Sequence, residues 1–358
     1  MPEQETIDRP NDVTPEQPLP DEEYYRRPPL PRPDRSAARL GMLLVIVGLI
    51  WLAVELVGYG PFFGGSQSVT LIDAPLPGNR LDLDLGSSQV DVQTGGDQEV
   101  RVETTQHGLW QGNPVAISRL GDRVRVTNEA FPRFFGFCFG RCGMSYHITA
   151  PRGVALSVRT SSGDISVAGI DGAVSLTSGS GDVTAHDIAN GLTVSTSSGD
   201  VGLERVGGKL NVQTGSGDVR LADGRVVDAT VQANSGDIEL QGVANTIALN
   251  SGSGDINVRD ARDGQLAIRA NSGNIDYTGS LAHAADSSVE TSSGDVTLRL
   301  PGDSSFILEA NTSSGDLENA FTLANGQHGR QSLSGVAGAD GHTLKIATSS
   351  GDISIERR

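Results

Sequence analysis

The sequence predicts an all-β protein: a β-solenoid of about ten 18-residue coils with S-G-D-[IV] corner turns, preceded by a disordered tail and one transmembrane helix. Three observations carry that prediction. The glycine of a Ser-Gly-Asp turn falls at 163, 181, 199, 217, 236, 254, 273, 294, 315 and 351, with gaps of 18, 19 or 21 and a last gap of 36, twice 18. Fixed self-similarity at such a period marks an architecture in which each repeat buries its apolar side only against its neighbours. Between the turns, apolar and polar residues alternate with period two, the pattern of strands, and a helical period of 3.6 is absent. The third observation is a single long apolar run near the front, residues 40–58.

Composition agrees with a thin repetitive core. The 358 residues include 46 glycines and only 4% aromatic residues, unlike a compact enzyme. Net charge is −17, and Lys209 and Lys345 are the only lysines. No Lys-rich patch exists to follow a phosphate backbone, which excludes nucleic acid as the expected partner.

Residues 1–39 are rich in proline, acidic residues and arginine and poor in aliphatic ones. They cannot bury enough apolar surface to offset ordering and are expected to form a disordered, Pro-rich cytoplasmic tail. Within them "RRPPLPRPDR" has the form of a polyproline ligand, although a plain extended linker is the leading reading. Residues 40–58, "LGMLLVIVGLIWLAVELVG", carry one charge, Glu55, and about 20 residues suffice to cross the hydrocarbon layer. Arg26, Arg27, Arg32, Arg35 and Arg39 precede the run and no basic residue follows it closely, which places the N-terminus in the cytoplasm. A cleaved signal peptide fits less well, because the front segment is too long and no A-x-A site follows. The expected location is therefore the cell membrane, single-pass, with the C-terminal domain extracellular or periplasmic.

After a tether at 59–68, residues 69–150 form an N-terminal β region and cap: "LDLDL", "VDVQT", "EVRVE" and "RVRVT" alternate as strands without a clean repeat. Residues 151–358 are the repetitive β-solenoid. In "GDVGLERVGGKLNVQTGS", Val201 and Leu203 form one short strand, "ERVGG" turns, and Leu210 and Val212 form a second. Val183, Leu192, Val194, Ile256, Val258, Leu266 and Ile268 occupy the same inward places in other coils. Glycine supplies positive φ at the corner, and aspartate and serine can hydrogen-bond to nearby backbone. The corner residues are Gly163 and Asp164, Gly181 and Asp182, Gly199 and Asp200, Gly217 and Asp218, and Gly236 and Asp237, followed by Gly254 and Asp255, Gly294 and Asp295, Gly315 and Asp316, and Gly351 and Asp352. Asn274 replaces aspartate in "NSGNI", and residues 318–343 skip a turn, where an irregularity or a loop is expected.

The stretch "YHITAPRGVALSVRTSSGDISVAGIDGAVSLTSGSGDVTA", with its "APRG" entry and serial S-G-D-[IV] turns, resembles the bacterial putative-adhesin family of β-strand-repeat domains, a domain of unknown function. The resemblance covers roughly residues 80–358. It implies an all-β, solenoid-like domain displayed at the cell envelope, and no established activity.

Several residues invite a chemical role. Stacked coils place the corner aspartates about 4.8 Å apart, where like charges repel by about 1 kcal/mol in water and more at lower dielectric. Backbone hydrogen bonds at each corner could offset that, as could calcium ions between coils; a calcium-binding β-roll repeats its ligands twice as often, which favours the structural corner. Phe134, Phe135, Phe137 and Phe139 cluster just before the regular coils, either as a cap over the first coil or as an exposed patch that binds a partner. Cys138 and Cys142, the only cysteines, are expected to close a small disulfide loop in an exported domain. The six histidines lack metal spacing, and no metal or cofactor is expected. No G-x-S-x-G, H-E-x-x-H or P-loop motif occurs, so no enzyme is expected.

The expected function is a membrane-anchored cell-envelope scaffold for non-catalytic surface binding or adhesion, with envelope glycan or a surface protein as partner. The alternative is an envelope-sensing or regulatory membrane protein that signals through its cytoplasmic tail. The sequence leaves the oligomeric state open.

Overall fold

The computed structural model of the protein describes residues 44–50, 67–75, 80–95, 99–107, 115–128, 143–339 and 341–358. The chain divides into two units, 1–60 and 61–358. In the first, residues 44–50 are helical, and Leu44, Val45, Ile46, Val47, Leu49 and Ile50 are exposed. Among the described residues no helix is long and apolar enough to cross a membrane. The tail, the tether up to residue 66 and the rest of the expected span at 40–58 lie outside the described residues.

The second unit is wound from β-strands throughout. Each coil contributes one strand that leads into the Ser-Gly-Asp corner and one that leaves it. The leading strands stack into one parallel sheet and the trailing strands into another. In the leading sheet Leu156, Val174, Leu192 and Leu210 stand in register, and in the trailing sheet Ile165, Val183, Val201 and Val219 do the same. Register is fixed because a one-residue slip would turn the aliphatic set out to water. Val183, Leu192, Val194, Val201, Leu203, Leu210, Val212, Ile256, Val258, Leu266 and Ile268 are all buried between the two sheets. Six successive coils close through a second corner at left-handed backbone: Gly169, Asp187, Arg205, Asp223, Gly242 and Asp260 have φ of 74°, 57°, 52°, 51°, 80° and 54°. Some strands run unbroken through it, as Val201–Ser216 does, pairing in the trailing sheet at its start and in the leading sheet at its end.

The coils do not stack in chain order at either end. Strands Arg80–Asp84 and Ser88–Thr94 form a coil lying between the one built from Arg123–Asn128 and Gly143–Ala150 and the one that begins at Ala155. At the other end, strands Thr343–Ser350 and Ile353–Arg357 slide in beneath an earlier level. They pair on one side with Ser287–Ser293 and Val296–Leu300, and on the other with Phe306–Ser314 and Leu317–Asn319. The 36-residue gap is therefore a reversal: the chain makes the outer level, doubles back through antiparallel strands Ala324–His328 and Ser332–Ala337, and returns underneath. The irregularity or loop expected at 318–343 is this antiparallel excursion, after which the chain returns as an inserted coil.

That outer level is closed by aromatic packing. Phe306 and Phe321 meet edge to face at 5.2 Å, and the Arg357 guanidinium lies 4.8 Å from the Phe321 ring centre. Both rings are buried. The phenylalanine cluster expected to cap the first coil lies outside the described residues.

Candidate functional site

The corner column recurs in every regular coil. From Gly163 to Gly351 the ten corner glycines have φ between 126° and 151°, a region open only to glycine. Each also lies against the neighbouring coil: a Cβ on Gly217 would stand 2.2 Å from the Gly199 carbonyl oxygen. Spatial order is read from the same contacts, since Gly351 lies on Gly294 and Gly315 lies on Gly351. The aspartates are joined by backbone. The Asp182 N–H donates to Asp164 Oδ1 at 3.0 Å, and the pattern continues to Asp200, Asp218, Asp237 and Asp255 at 2.8–2.9 Å. Asn274 takes its place without a break: its N–H donates to Asp255, and its own Oδ1 accepts from the Asp295 N–H. Asp352 and Asp316 complete the ladder. Only one side-chain oxygen per coil is used, so an amide serves where a carboxylate otherwise stands. In the coil at 80–94, Ser87, Ser88 and Gln89 stand where the Ser-Gly-Asp triplet stands above, with Val90 opposite Ile165.

Hydroxyls just inside the corner serve the same backbone. Thr291, Thr312 and Thr348 donate to the carbonyls of Gly273, Gly351 and Gly294. The corner is thus a hydrogen-bonded spine. Among the described residues no three His, Cys, Asp or Glu side chains converge to hold a metal ion.

The outer face of the trailing sheet is charged and paired. Arg220 Nε donates to Glu239 at 2.8 Å, and Arg259 lies 3.4 Å from the same carboxylate. Arg299 bridges Asp276 at 2.6 Å and Glu356 at 3.0 Å. At the second corner Arg205 grips both oxygens of Asp187, at 2.7 and 3.1 Å, and also contacts Glu204. The Arg205 hydrogen bonds, then that from His186, hold the Asp187 carboxyl well below the usual carboxylate range.

The outer face of the leading sheet is different. Across five successive coils one outward row reads Ser175, Thr193, Asn211, Thr230 and Ala248, and the next reads Thr177, Ser195, Gln213, Gln232 and Asn250. A third reads Gly179, Ser197, Gly215, Asn234 and Gly252. Its glycines alternate because a Cβ on Gly179, Gly215 or Gly252 would stand 2.3–2.6 Å from the carbonyl oxygen of the coil beside it. No ionisable group occurs in these rows. Their hydroxyl and amide side chains make no hydrogen bond to any other described residue. Charge bounds these five coils: Arg159 and Arg269 stand next to Thr177 and Asn250 at the two ends of the second row, and Lys209 and Asp228 pair at 3.4 Å at the side.

Toward the aromatic end, small outward residues hollow this face into a shallow trough. Ala248 and Ala267 floor a hollow of about 320 Å³ between Thr230, Gln232, Asn250 and Arg269. A second, of about 460 Å³, continues from Arg269 past Glu290 and Ala347 to Asn311 and Ser313. Arg269 and Glu290 pair at 3.4 Å where the two meet. The sequence suggests outward Ser, Thr, Asn and Asp side chains suited to weak polar contacts, but which sheet carries neutral rows emerges only once the register is known.

The remaining candidates are soon placed. Phe134, Phe135, Phe137, Phe139, Cys138 and Cys142 lie outside the described residues. His147 lies 2.9 Å from Asp91 and His186 lies 3.3 Å from Asp187, so these two histidines sit in polar pairs.

The Toastrack DUF4097 family matches residues 78–206 and 187–356 of the chain. Among curated proteins none matches. Two solved structures are similar. A "putative cell adhesion protein" from Clostridium sporogenes is 10% identical, with a TM-score of 0.26 over 82% of this chain and 100% of that one. A "putative adhesin" from Bacteroides fragilis is 14% identical, with a TM-score of 0.31 over 82% of this chain and 99% of that one.

Proposed function

The chain belongs to the Toastrack DUF4097 family, and from the chemistry of its two outer faces we propose that it is a non-catalytic surface-binding scaffold held at the cell envelope. The observation that carries this reading is the asymmetry between those faces. One spends its charged side chains on pairs with each other; the other, between residues 175 and 252, presents outward rows of neutral hydroxyls and amides with no partner among the described residues. A wall of repeated, unengaged hydrogen-bonding groups suits many weak contacts with an extended partner better than it suits turnover at one bond. Weak contacts gain strength when many copies share one surface.

Anchoring belongs to the same proposal. The apolar run at 40–58 has the length of a span, and its described part is helical with exposed aliphatic side chains. The arginines before it support a tail in the cytoplasm and a solenoid outside.

The test uses full-length chain in two formats. Coated densely on beads, it should retain bacterial cells or their envelope material without releasing reducing sugar or peptide. Expressed in intact cells, or in spheroplasts where there is an outer membrane, it should lose its solenoid to added protease and keep an epitope within residues 1–39. Turnover abolished by a single carboxylate substitution, or the opposite protection pattern, refutes the reading.

A further inference from the structure

We propose that the neutral face of the leading sheet, with its trough, is the binding surface, and that its ligand is an uncharged polysaccharide lying along the stack of coils; this rests on the surface-binding reading above. The rows containing Thr193, Thr230, Gln213, Gln232 and Asn250 expose groups that both donate and accept hydrogen bonds. A polymer of hydroxyls needs that combination, because each hydroxyl does the same.

The other extended polymers fit poorly. An anionic polymer meets a chain of net charge −17, and the arginine that lines the trough, Arg269, is already paired with Glu290 at 3.4 Å. An extended peptide along the stack advances about 3.3 Å per residue while the rows repeat at about 4.8 Å, so its backbone groups leave register within a few coils. The trough gives the ligand its course: alanines at 248 and 267 lower the floor while Gln232 and Asn250 stand beside it. No aromatic platform lines it, so each sugar is held weakly and affinity accumulates over coils and copies.

The experiment measures retention of dextran, mannan and galactomannan, with polygalacturonate as the anionic comparison, by full-length chain on beads. At least one uncharged polymer should be retained, equally at low and at molar salt, since no ion pair is involved. Gln232→Glu combined with Asn250→Asp, which keeps side-chain size, should weaken retention about tenfold or more. Arg220→Ala combined with Glu239→Ala, on the opposite face, should leave it unchanged, and unaltered far-ultraviolet spectra establish that both variants fold. The inference is overturned by retention of polygalacturonate alone, by loss in molar salt, or by equal effects of the two variants. Failure to retain any uncharged polymer while cells still adhere overturns it and leaves the scaffold reading standing; failure of both overturns the two together.

Discussion

Three glycine-to-alanine substitutions separate what the corner demands. Gly202 has ordinary backbone and no atom within 4 Å of a built Cβ. Alanine there removes only unfolded-state freedom and should leave the protein unchanged or up to about 1 kcal/mol more stable. Gly86 has φ of +55° with open space around it, so alanine incurs left-handed strain alone, about 1–2 kcal/mol. Gly217 adds a steric term to φ of +134°: its Cβ would stand 2.2 Å from the Gly199 oxygen and 2.6 Å from the Gly199 carbon. A carbon approaches a carbonyl oxygen at roughly 3.3 Å or more, so the two coils must part by about 1 Å. Parting stretches the Asp218 N–H bond to Asp200, now 2.9 Å, and the Val201 N–H bond to the Asp218 carbonyl, now 2.8 Å. Backbone strain of about 1–3 kcal/mol plus overpacking of similar size gives about 4 kcal/mol. Urea unfolding of the full-length chain, followed by far-ultraviolet signal, should rank the midpoints Gly202→Ala, then Gly86→Ala, then Gly217→Ala, from highest to lowest. Equal midpoints for the last two would show that close stacking contributes nothing and would refute the argument.

The spine makes a second distinction. Asp200→Asn keeps the acceptor, as Asn274 does naturally, and should cost under about 0.5 kcal/mol, whereas Asp200→Ala strands the Asp218 N–H and should cost about 1 kcal/mol by the same unfolding measurement. If carboxylates are engaged by backbone, stripping divalent cations with a chelator should leave the melting midpoint unchanged; a large stabilisation by millimolar calcium, lost in Asp200→Ala, would contradict this. The depressed Asp187 carboxyl fixes the sign of a pH effect. A folded pKa below the unfolded one adds stability that is present above about pH 4, the ordinary carboxylate value, and lost as pH falls toward the folded pKa. Carboxyl NMR titration should find Asp187 among the last groups to protonate, and Arg205→Ala should raise it toward the ordinary range while the His186 hydrogen bond still holds it down.

What the sequence disclosed was the local part of the fold. The corner glycines and the inward aliphatics, such as Val201 and Leu210, follow from side-chain period and from a conformation only glycine adopts. The second corner was harder to see. Aspartate at 187, 223 and 260 tolerates left-handed backbone and could have signalled it, but Arg205 occupies the same column and carries no such signal. Stacking order was hidden for a different reason: a repeat records which coil follows in the chain, not which lies beside it. The doubled 36-residue gap was the trace of that reversal, and Ser88 with Gln89 was too altered a corner to mark the inserted first coil. Outward polar side chains were legible, but the neutral rows of one sheet were not, because Gln213, Gln232 and Asn250 are far apart in sequence and become a row only through strand register.

The inserted coil at 343–357 also sets the order in which the molecule can be completed during synthesis. Coils from residue 155 to residue 300 can be laid down one on another as the chain emerges, each finding its shelf already built. The level at 306–319 cannot. Its permanent neighbour is made later, so the nascent level must stay unseated, or rest for a time on 287–300, until residues 343–357 leave the ribosome and displace it outward. A chain cut short between residues 320 and 342 would thus have a spine that stops at Asp295 or joins Asp316 to the wrong rung. In such a chain Phe321 would lack the Arg357 that covers it in the finished stack.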